Sequence, residues 1–303
     1  KLWRYIRLNT EVKYVELENE NYFVQYEDAD SLKEHVFQFV IVSTGIFSTP
    51  SNPFWDSIEK FGNVRHSSKY RKNQSFSGKD VVVIGNSFSG TEIAADVSDT
   101  ANSVIHIFRR PYWIVPRFID DKPADLKFYS RKEAEASRSS DPEIMYQKSY
   151  EFFQHICAQD FKKELKVPKE GVNHFVAISD GYLDAVRAEK INLVLAEDMS
   201  FAKGIVKAGE SIINADTLIY CTGFRLNLDF LSENIQHILD YKEKDQLQPI
   251  LLYKCTHHPD LPNVAFVGVY RGPYFAVMEL QARWAAIHEV WEELVFFVMF
   301  SHT

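Results

Sequence analysis

Cysteine is scarce in this sequence. The 303 residues contain three, Cys157, Cys221 and Cys255, and none of them stands in a Cys-x-x-Cys pattern. An odd number of cysteines at these spacings supports neither a disulfide framework nor a zinc ribbon nor a redox dithiol. We therefore expect a protein of a reducing compartment, the cytoplasm.

Long apolar runs and an excess of positive charge are absent as well. The longest apolar stretch, residues 294–300, is far shorter than the roughly 18 residues that a membrane span needs. The 34 basic and 42 acidic side chains give a net charge of −8, which argues against a nucleic-acid partner because such proteins need a basic face. With 46% hydrophobic and 25% charged residues, the chain should form one large α/β unit or two domains.

The first part of the chain has the pattern of β-strands. Residues 14–17 and 21–26 alternate apolar and polar side chains, which predicts two half-buried strands joined by a turn at residues 18–20. Residues 36–42 are almost wholly apolar and rich in β-branched side chains, which is typical of a strand covered on both faces. We expect a β-ribbon followed by one buried strand.

From residue 80 onwards the pattern is that of a β-α-β unit. A buried strand over 80–84 runs into a small-residue turn over 85–90. A helix over 91–98 and a second strand over 103–108 follow, so the sheet should be parallel. The later predicted elements are a helical insertion over 120–171, strands over 191–195, 217–220 and 264–268, and a helix over 277–300.

The turn of this unit has the features of a phosphate-binding loop. Gly85 and Gly90 flank it, and the N–H groups and positive dipole end of the following helix can hold a pyrophosphate. Ser87 occupies the middle glycine position of Gly-x-Gly-x-x-Gly. A tight turn without a ligand is the alternative. The predicted cofactor-binding residues of the turn are Gly85, Asn86, Ser87, Phe88, Ser89, Gly90 and Thr91.

The second strand of the unit indicates which nucleotide binds. It ends in Arg109 and Arg110, where an enzyme for the unphosphorylated cofactor would carry an acidic residue on the ribose. Guanidinium groups offer several donors to a phosphate, so the pair favours NADPH over NADH. The alternative is a solvated arginine pair at a strand end, and the sequence does not tell which arginine would bind.

Two strands end in the same short motif. Thr44-Gly45 follows the first buried strand, and Thr222-Gly223-Phe224 follows the strand over 217–220. A glycine here lets the backbone turn sharply at the carboxyl edge of a sheet, where ligands of such folds bind. Together the motifs predict two crossings between a pair of nucleotide-binding domains, with a hinge at each, and we include these five residues among the cofactor contacts.

A set of spaced motifs runs along nearly the whole chain. It comprises Thr44-Gly45, Gly62-x-x-x-His66-x-x-x-Tyr70, the turn from Gly85 to Gly90, Arg109 with Trp113, Cys221-Thr222-Gly223-Phe224, and residues 279–284. Together these residues resemble the later two-thirds of a flavin-containing monooxygenase, a class B flavoprotein monooxygenase. One departure is local: Lys60 stands where the family has an aromatic residue.

The resemblance implies a fold with two Rossmann-like dinucleotide-binding domains. Residues 1–53 and 221–303 would form a partial FAD-binding domain, and residues 54–220 an inserted NADPH-binding domain with the helical insertion. Family members open with an FAD-binding Gly-x-Gly-x-x-Gly turn that this sequence does not contain. We therefore expect that the numbering covers part of a longer or cleaved polypeptide, with the missing N-terminal FAD segment as a partner.

The resemblance also implies an activity. It is that of an FAD- and NADPH-dependent monooxygenase that oxygenates an amine nitrogen or a sulfide sulfur with dioxygen, through a flavin C4a-hydroperoxide. A Baeyer–Villiger or N-hydroxylating monooxygenase of the same class is one alternative. A nucleotide-binding subunit or a degenerate fragment without its own activity is another, and a homodimer is left open.

The C-terminal part of the chain carries two further predictions. The resemblance places residues 279–284 beside the flavin and gives Gln281 a cofactor contact, whereas the alternative is an interior polar network that links helix to sheet. Residues 290–300 are apolar but lack Lys and Arg and carry acidic neighbours. We expect this segment to pack on the protein rather than on an anionic membrane.

No residue is assigned to catalysis or to a metal. Cys255, His257 and His258 stand close together, but they lack the paired spacing of zinc sites. His66 belongs to a family motif near the expected hinge, so a structural role is favoured over acid–base catalysis. The turn from Gly85 to Gly90 differs from the nucleophile elbow Gly-x-Ser-x-Gly in its last spacing, which excludes a hydrolase of that type.

Overall fold

Two compact units make up the chain. The first comprises Lys1–Ser51 and Gly223–Thr303, and the second comprises the intervening Asn52–Thr222. The computed structural model describes residues 2–28, 31–52, 58–128, 135, 141–169, 175–270 and 275–288.

The first unit begins with strands β1 to β5. Their bounds are Thr10–Glu18, Asn21–Asp28, Ser31–Phe37, Val40–Val42 and Thr49–Pro50. Strands β1, β2 and β3 form an antiparallel sheet in that order, which contains the predicted ribbon and a third strand that was not predicted. The turn between β1 and β2 has Asn19 and Glu20 in the left-handed region, at φ 47° and 69°.

The prediction of one buried strand over residues 36–42 is wrong. Strand β3 ends at Phe37 and strand β4 starts only at Val40. Val36 belongs to the outer strand of the antiparallel sheet and is 61% exposed, whereas Val40 and Val42 are buried. An apolar β-branched run is equally compatible with both positions, because strand pairing decides which side chains are covered.

The second unit contains strands β6 to β17 and helices α1 to α4. The strands are Val64–His66, Asp80–Ile84, Ser103–Phe108, Trp113–Val115, Phe118–Ile119, Lys122–Pro123, Val176–Ile178, Ile191–Leu195, Met199–Ala202, Ile205–Ala208, Ser211–Asn214 and Thr217–Tyr220. The helices are Phe88–Val97, Ala124–Phe128, Pro142–Cys157 and Tyr182–Arg187.

A parallel sheet forms the core of the second unit. Its five strands in the described chain have the order β13-β8-β7-β17-β6, and all pairs are parallel, as predicted. A hydrophobic core lies on each side of this sheet, and the side chains of strand β7 point alternately into the two cores. Val81 and Val83 pack with helices α1 and α4, and Val82 and Ile84 pack against the antiparallel strands β14 to β16. The latter three strands were not predicted.

The segment over 120–171 is helical in large part, but not throughout. Strands β10 and β11 pair as a short antiparallel ribbon just before α2. Helix α3 starts behind Asp141, whose side chain accepts a hydrogen bond from the N–H of Glu143, and Pro142 occupies its first turn. Trp113 packs on the buried face of this helix through Tyr150 and Phe153. Residues 129–134, 136–140 and 170–174 lie outside the described residues.

The first unit is completed by the C-terminal part of the chain. It contains strands β18 (Phe224–Arg225) and β19 (Val264–Phe266) and helices α5 (Glu233–Ile238) and α6 (Phe275–His288). Strand β19 pairs in parallel with β4, and β18 pairs with β5. The predicted packing of residues 290–300 lies outside the described residues. Within the described part, no helix combines the length and apolar character of a membrane span.

Candidate nucleotide-binding site

The predicted loop is a sharp turn between β7 and α1. Gly85 has φ +109°, a conformation that side chains rarely adopt, and a Cβ placed on it would lie 2.5 Å from the carbonyl oxygen of Cys221. Helix α1 starts at Phe88, three residues earlier than predicted, with Ser87 as its N-cap residue. The first N–H groups of a helix have no intrahelical partner, so those of α1 are available at the turn.

Gly90 brings the helix directly against the end of the strand. A Cβ on Gly90 would lie 1.6 Å from the carbonyl oxygen of Gly85, a distance that no pair of unbonded atoms can adopt. The N–H of Gly85 also donates to the carbonyl oxygen of Ile107 on the neighbouring strand, at 2.9 Å. The two glycines therefore permit the sharp turn and the close packing of α1 on the strand, which are the roles of the first and third glycines in a dinucleotide-binding turn.

A buried histidine that the sequence analysis did not identify forms a hydrogen bond to the turn. His106 lies on β8 with its ring fully buried, and its Nε2 is 2.7 Å from the carbonyl oxygen of Gly85. Its Nδ1 is 2.5 Å from the hydroxyl of Tyr182 on α4. Because a carbonyl can only accept, Nε2 carries the proton and Nδ1 accepts from the tyrosine. Burial lowers the pKa of His106 to about 4, so the ring is neutral at pH 7.

The side chains of the turn differ in their hydrogen bonds and in their exposure. Asn86 is buried, its Nδ2 donates to the carbonyl oxygen of Arg110 at 3.4 Å, and its Oδ1 has no partner among the described residues. The hydroxyl of Thr91 lies 3.2 Å from the carbonyl oxygens of both Ser87 and Phe88, so it consolidates the first turn of α1. The Phe88 side chain is exposed.

The two arginines after β8 have different surroundings. The guanidinium of Arg110 lies 3.8 Å from the ring centroid of Phe175, which in turn stacks on Tyr112 at 5.2 Å. The exposed Arg109 has no hydrogen bond or ion pair within the part of the chain that the structure describes. The two arginines therefore differ in their surroundings, since one guanidinium is held over an aromatic ring and the other has no such contact within the described residues. Which of them binds a phosphate stays a prediction.

The two Thr-Gly motifs are tight backbone turns. Gly45 and Gly223 have φ +67° and +84°, so both positions favour glycine. The hydroxyl of Thr44 is buried at the end of β4 without a hydrogen-bond partner among the described residues. The ring of Phe224 packs edge-on against Phe47 within the first unit, with centroids 5.9 Å apart. The cofactor contacts of these residues stay predictions.

Gln281 ties helix α6 to its own unit. It is 3% exposed, its Oε1 accepts from the N–H of Gly268 at 3.1 Å, and its Nε2 donates to the carbonyl oxygen of Cys255 at 2.6 Å. These contacts match the interior network that the sequence offered as the alternative, and the flavin contact stays a prediction. His257 Nδ1 lies 3.1 Å from the carbonyl oxygen of Val264. Within the described ranges, no three acidic, Cys or His side chains form a metal-binding group.

His66 occupies a structural position in the second unit. It is buried, its Nδ1 accepts from the N–H of Ser68 at 3.1 Å, and its ring packs edge-on against Tyr220 with centroids 5.0 Å apart. These contacts support the structural role that was favoured for it.

Comparison with known proteins gives consistent matches. A family model described as flavin-binding monooxygenase-like matches residues 1–292. Human flavin-containing monooxygenase 5 is 27% identical over an alignment of 307 residues, which covers 94% of this chain and 54% of that protein. Mouse dimethylaniline monooxygenase (N-oxide-forming) 2 is 27% identical over 263 residues, covering 82% of this chain and 47% of that protein. The chain spans about half the length of these curated relatives.

Solved structures share the fold. An oxidized steroid monooxygenase bound to NADP superposes with a TM-score of 0.68 at 18% identity, over 94% of this chain and 66% of that one. At this identity the likeness concerns the fold alone. It confirms the expected α/β class with dinucleotide-binding folds.

Proposed function

Because the chain belongs to the flavin-binding monooxygenase-like family, we propose that it serves an FAD- and NADPH-dependent monooxygenase that oxygenates an amine nitrogen or a sulfide sulfur with dioxygen. The resemblance to flavin-containing monooxygenases is confirmed by this membership. A relative named for forming N-oxides supports amine nitrogen as a substrate atom. When bound, the flavin supplies the oxygen-activating chemistry, and the protein contributes binding, orientation and exclusion of water.

In this proposal the unit Asn52–Thr222 binds NADPH, and the turn between β7 and α1 holds its pyrophosphate. The observation that carries the proposal is the close-packed glycine turn: a Cβ on either Gly85 or Gly90 would collide with backbone. This packing brings the start of α1, whose first N–H groups have no intrahelical partner, to the carboxyl end of β7, where a pyrophosphate binds in folds of this type.

Arg109 is the residue proposed to bind the 2′-phosphate. It follows β8, the strand next to the turn, and it has no ion-pair or hydrogen-bond partner within the described residues. The guanidinium of Arg110 is restrained over the ring of Phe175, at 3.8 Å from its centroid, whereas Arg109 has no such contact within the described residues. The backbone of Arg110 instead supports the turn, because its carbonyl oxygen accepts from Asn86.

The unit that includes Lys1–Ser51 and Gly223–Thr303 is proposed to contribute to the flavin site. Its candidate contacts are the strand exit at Thr44 and Gly45, with the unpaired hydroxyl of Thr44, and the amino end of α6. Gln281 would act there by fixing α6 rather than through a free amide. The sequence has no second glycine turn of the pyrophosphate-binding type, so no residue is assigned to the flavin pyrophosphate.

The cofactor assignment is tested by single substitutions of the two arginines. We expect Arg109→Ala to lower kcat/KM for NADPH by roughly one to two decades, which corresponds to losing one charge-assisted contact of about 1.5–3 kcal/mol. The same variant should change kcat/KM for NADH little. Arg110→Ala is the matched control, and it should affect both cofactors alike. If the double variant keeps its preference for NADPH, the assignment of the 2′-phosphate is wrong.

The oxygenation itself is tested by product analysis. The protein with FAD, NADPH and dioxygen should convert a tertiary amine to its N-oxide or a thioether to its sulfoxide, in step with NADPH consumption. A cyclic ketone serves as the comparison substrate, because its conversion to a lactone would favour the Baeyer–Villiger alternative. NADP⁺ binding without any oxygenated product would favour the nucleotide-binding subunit.

A further inference from the structure

The buried pair formed by His106 and Tyr182 has a place in the second unit that core packing alone does not explain. His106 is the one polar side chain within strand β8 after Ser103. Its ring occupies a fully buried position in an otherwise apolar part of the strand and makes two hydrogen bonds there, one to Gly85 and one to Tyr182. Burying a polar ring costs free energy that its two hydrogen bonds must offset.

The contact with Gly85 acts on the peptide bond that opens the nucleotide turn. In a trans peptide the C=O of one residue and the N–H of the next point in opposite directions. With the Gly85 carbonyl held toward the interior by His106, the N–H of Asn86 is aimed away from it. That N–H makes no hydrogen bond within the described residues, so it is available to an outside acceptor.

The space around this carbonyl makes its orientation depend on His106. Gly90 presents no Cβ, and the position of a Cβ there would lie 1.6 Å from the Gly85 oxygen and 3.4 Å from the His106 ring nitrogen. The absence of a side chain at Gly90 lets the carbonyl point toward the His106 ring, while a glycine at position 85 leaves this peptide free to adopt other orientations. The hydrogen bond from the histidine supplies the missing constraint.

We propose that His106, itself oriented by Tyr182, is a positioning residue that fixes the peptide between Gly85 and Asn86 so that its N–H faces the pyrophosphate of the nicotinamide cofactor. The inference rests on the proposed function, because it assumes that the turn binds NADPH. The tyrosine donates to Nδ1 and thereby keeps the proton on Nε2, where the carbonyl needs it.

The test compares variants that remove, keep or reorient the hydrogen bond to Gly85 with a control on the same strand. His106→Leu removes the donor, and His106→Gln keeps an N–H at the end of a side chain of similar reach. Tyr182→Phe keeps the ring and removes only the hydroxyl that orients the histidine. Val104→Ala, on the same face of the same strand and also buried, lowers stability without touching Gly85 and is the structural control.

The readout is the dissociation constant of NADP⁺, measured by titration of each purified variant, together with its FAD content and its melting temperature. We expect His106→Leu to weaken NADP⁺ binding about tenfold or more, which corresponds to one misdirected phosphate contact. Tyr182→Phe should weaken it about threefold, as expected for losing a supporting hydrogen bond. His106→Gln should restore most of the affinity, and Val104→Ala should leave it unchanged.

Each result has one meaning. Unchanged NADP⁺ affinity in both His106→Leu and Tyr182→Phe would overturn the positioning role while leaving the proposed function intact. Equal weakening in His106→Leu, His106→Gln and Val104→Ala would also overturn it, since it would trace the effect to stability. Failure of the unsubstituted protein to bind NADP⁺ at all would overturn the proposed function and this inference together.

Discussion

Gly90→Ala is the smallest change that should disrupt the nucleotide turn. The added methyl carbon would lie 1.6 Å from the carbonyl oxygen of Gly85, where a contact of about 3.5 Å is the normal optimum. The start of α1 must therefore move away from β7 by roughly 2 Å, or the Gly85 carbonyl must rotate and lose its hydrogen bond from His106. Overpacking costs about 1–3 kcal/mol. A buried acceptor left unpaired costs a similar amount, about 1–3 kcal/mol.

The expected loss in the free energy of unfolding is therefore about 1–3 kcal/mol by either route, a sizeable part of the about 5–15 kcal/mol that stabilises an average domain. Urea denaturation of the native protein and the variant measures it. NADP⁺ binding should fall in the same variant, whereas bound FAD should be retained, because the turn serves the nicotinamide cofactor in our proposal.

The matched control is Gly181→Ala in the same unit. Gly181 has no positive φ, and a Cβ there would meet only the Cβ of Ala95 at an ordinary 3.9 Å. We expect a change below about 1 kcal/mol in this control, as is usual for a glycine at a helix start. If Gly90→Ala is as stable as Gly181→Ala and binds NADP⁺ normally, the close contact does not constrain the turn and the argument fails.

Two further predictions concern buried polar groups. Burial lowers the pKa of His106 from 6.5 to about 4, so the unfolded chain takes up more protons between these values and stability is lost as the pH falls from 6.5 toward 4. Urea denaturation at pH 7 and pH 4.5 should show that the native protein loses roughly 2–3 kcal/mol more than His106→Gln, and an equal loss in both would contradict the assignment. Gln281→Leu leaves the Gly268 N–H and the Cys255 carbonyl unpaired, so it should cost about 2–4 kcal/mol and lower FAD retention. Ile287→Ala, at an exposed position of the same helix outside residues 279–284, is its control, and equal effects of the two changes would refute the role of the network.

Local patterns in the sequence were sufficient to predict the secondary structure at the centre of the second unit. The run Val81-Val82-Val83-Ile84 is apolar and β-branched throughout, and a glycine–serine turn follows it directly, so strand, turn and helix were all predictable from neighbouring residues. The spaced motifs likewise identified the family, because their residues can be read one by one along the chain. The same reading located Arg109 and Arg110 after β8, since the length of a β-α-β unit is set by its elements.

Contacts between residues far apart along the chain decided the rest. The run over 36–42 looks like one strand, but the antiparallel pairing of β3 exposes Val36 while the parallel pairing of β4 with β19 buries Val42. The two arginines became distinct only because the chain brings Phe175 under one of them.

The support of the nucleotide turn is the clearest case of this dependence. His106 is 21 residues from Gly85 and 76 from Tyr182, and a single histidine in an apolar strand matches no binding motif. The role of His106 depends on the pairing of strand β8 with β7 and on the packing of helix α4 against both strands. The periodicity of a sequence shows which face of a strand is buried, but it does not show which residues from other elements lie against that face. The sequence thus determined where the turn lies, and the tertiary structure determined what holds it in shape.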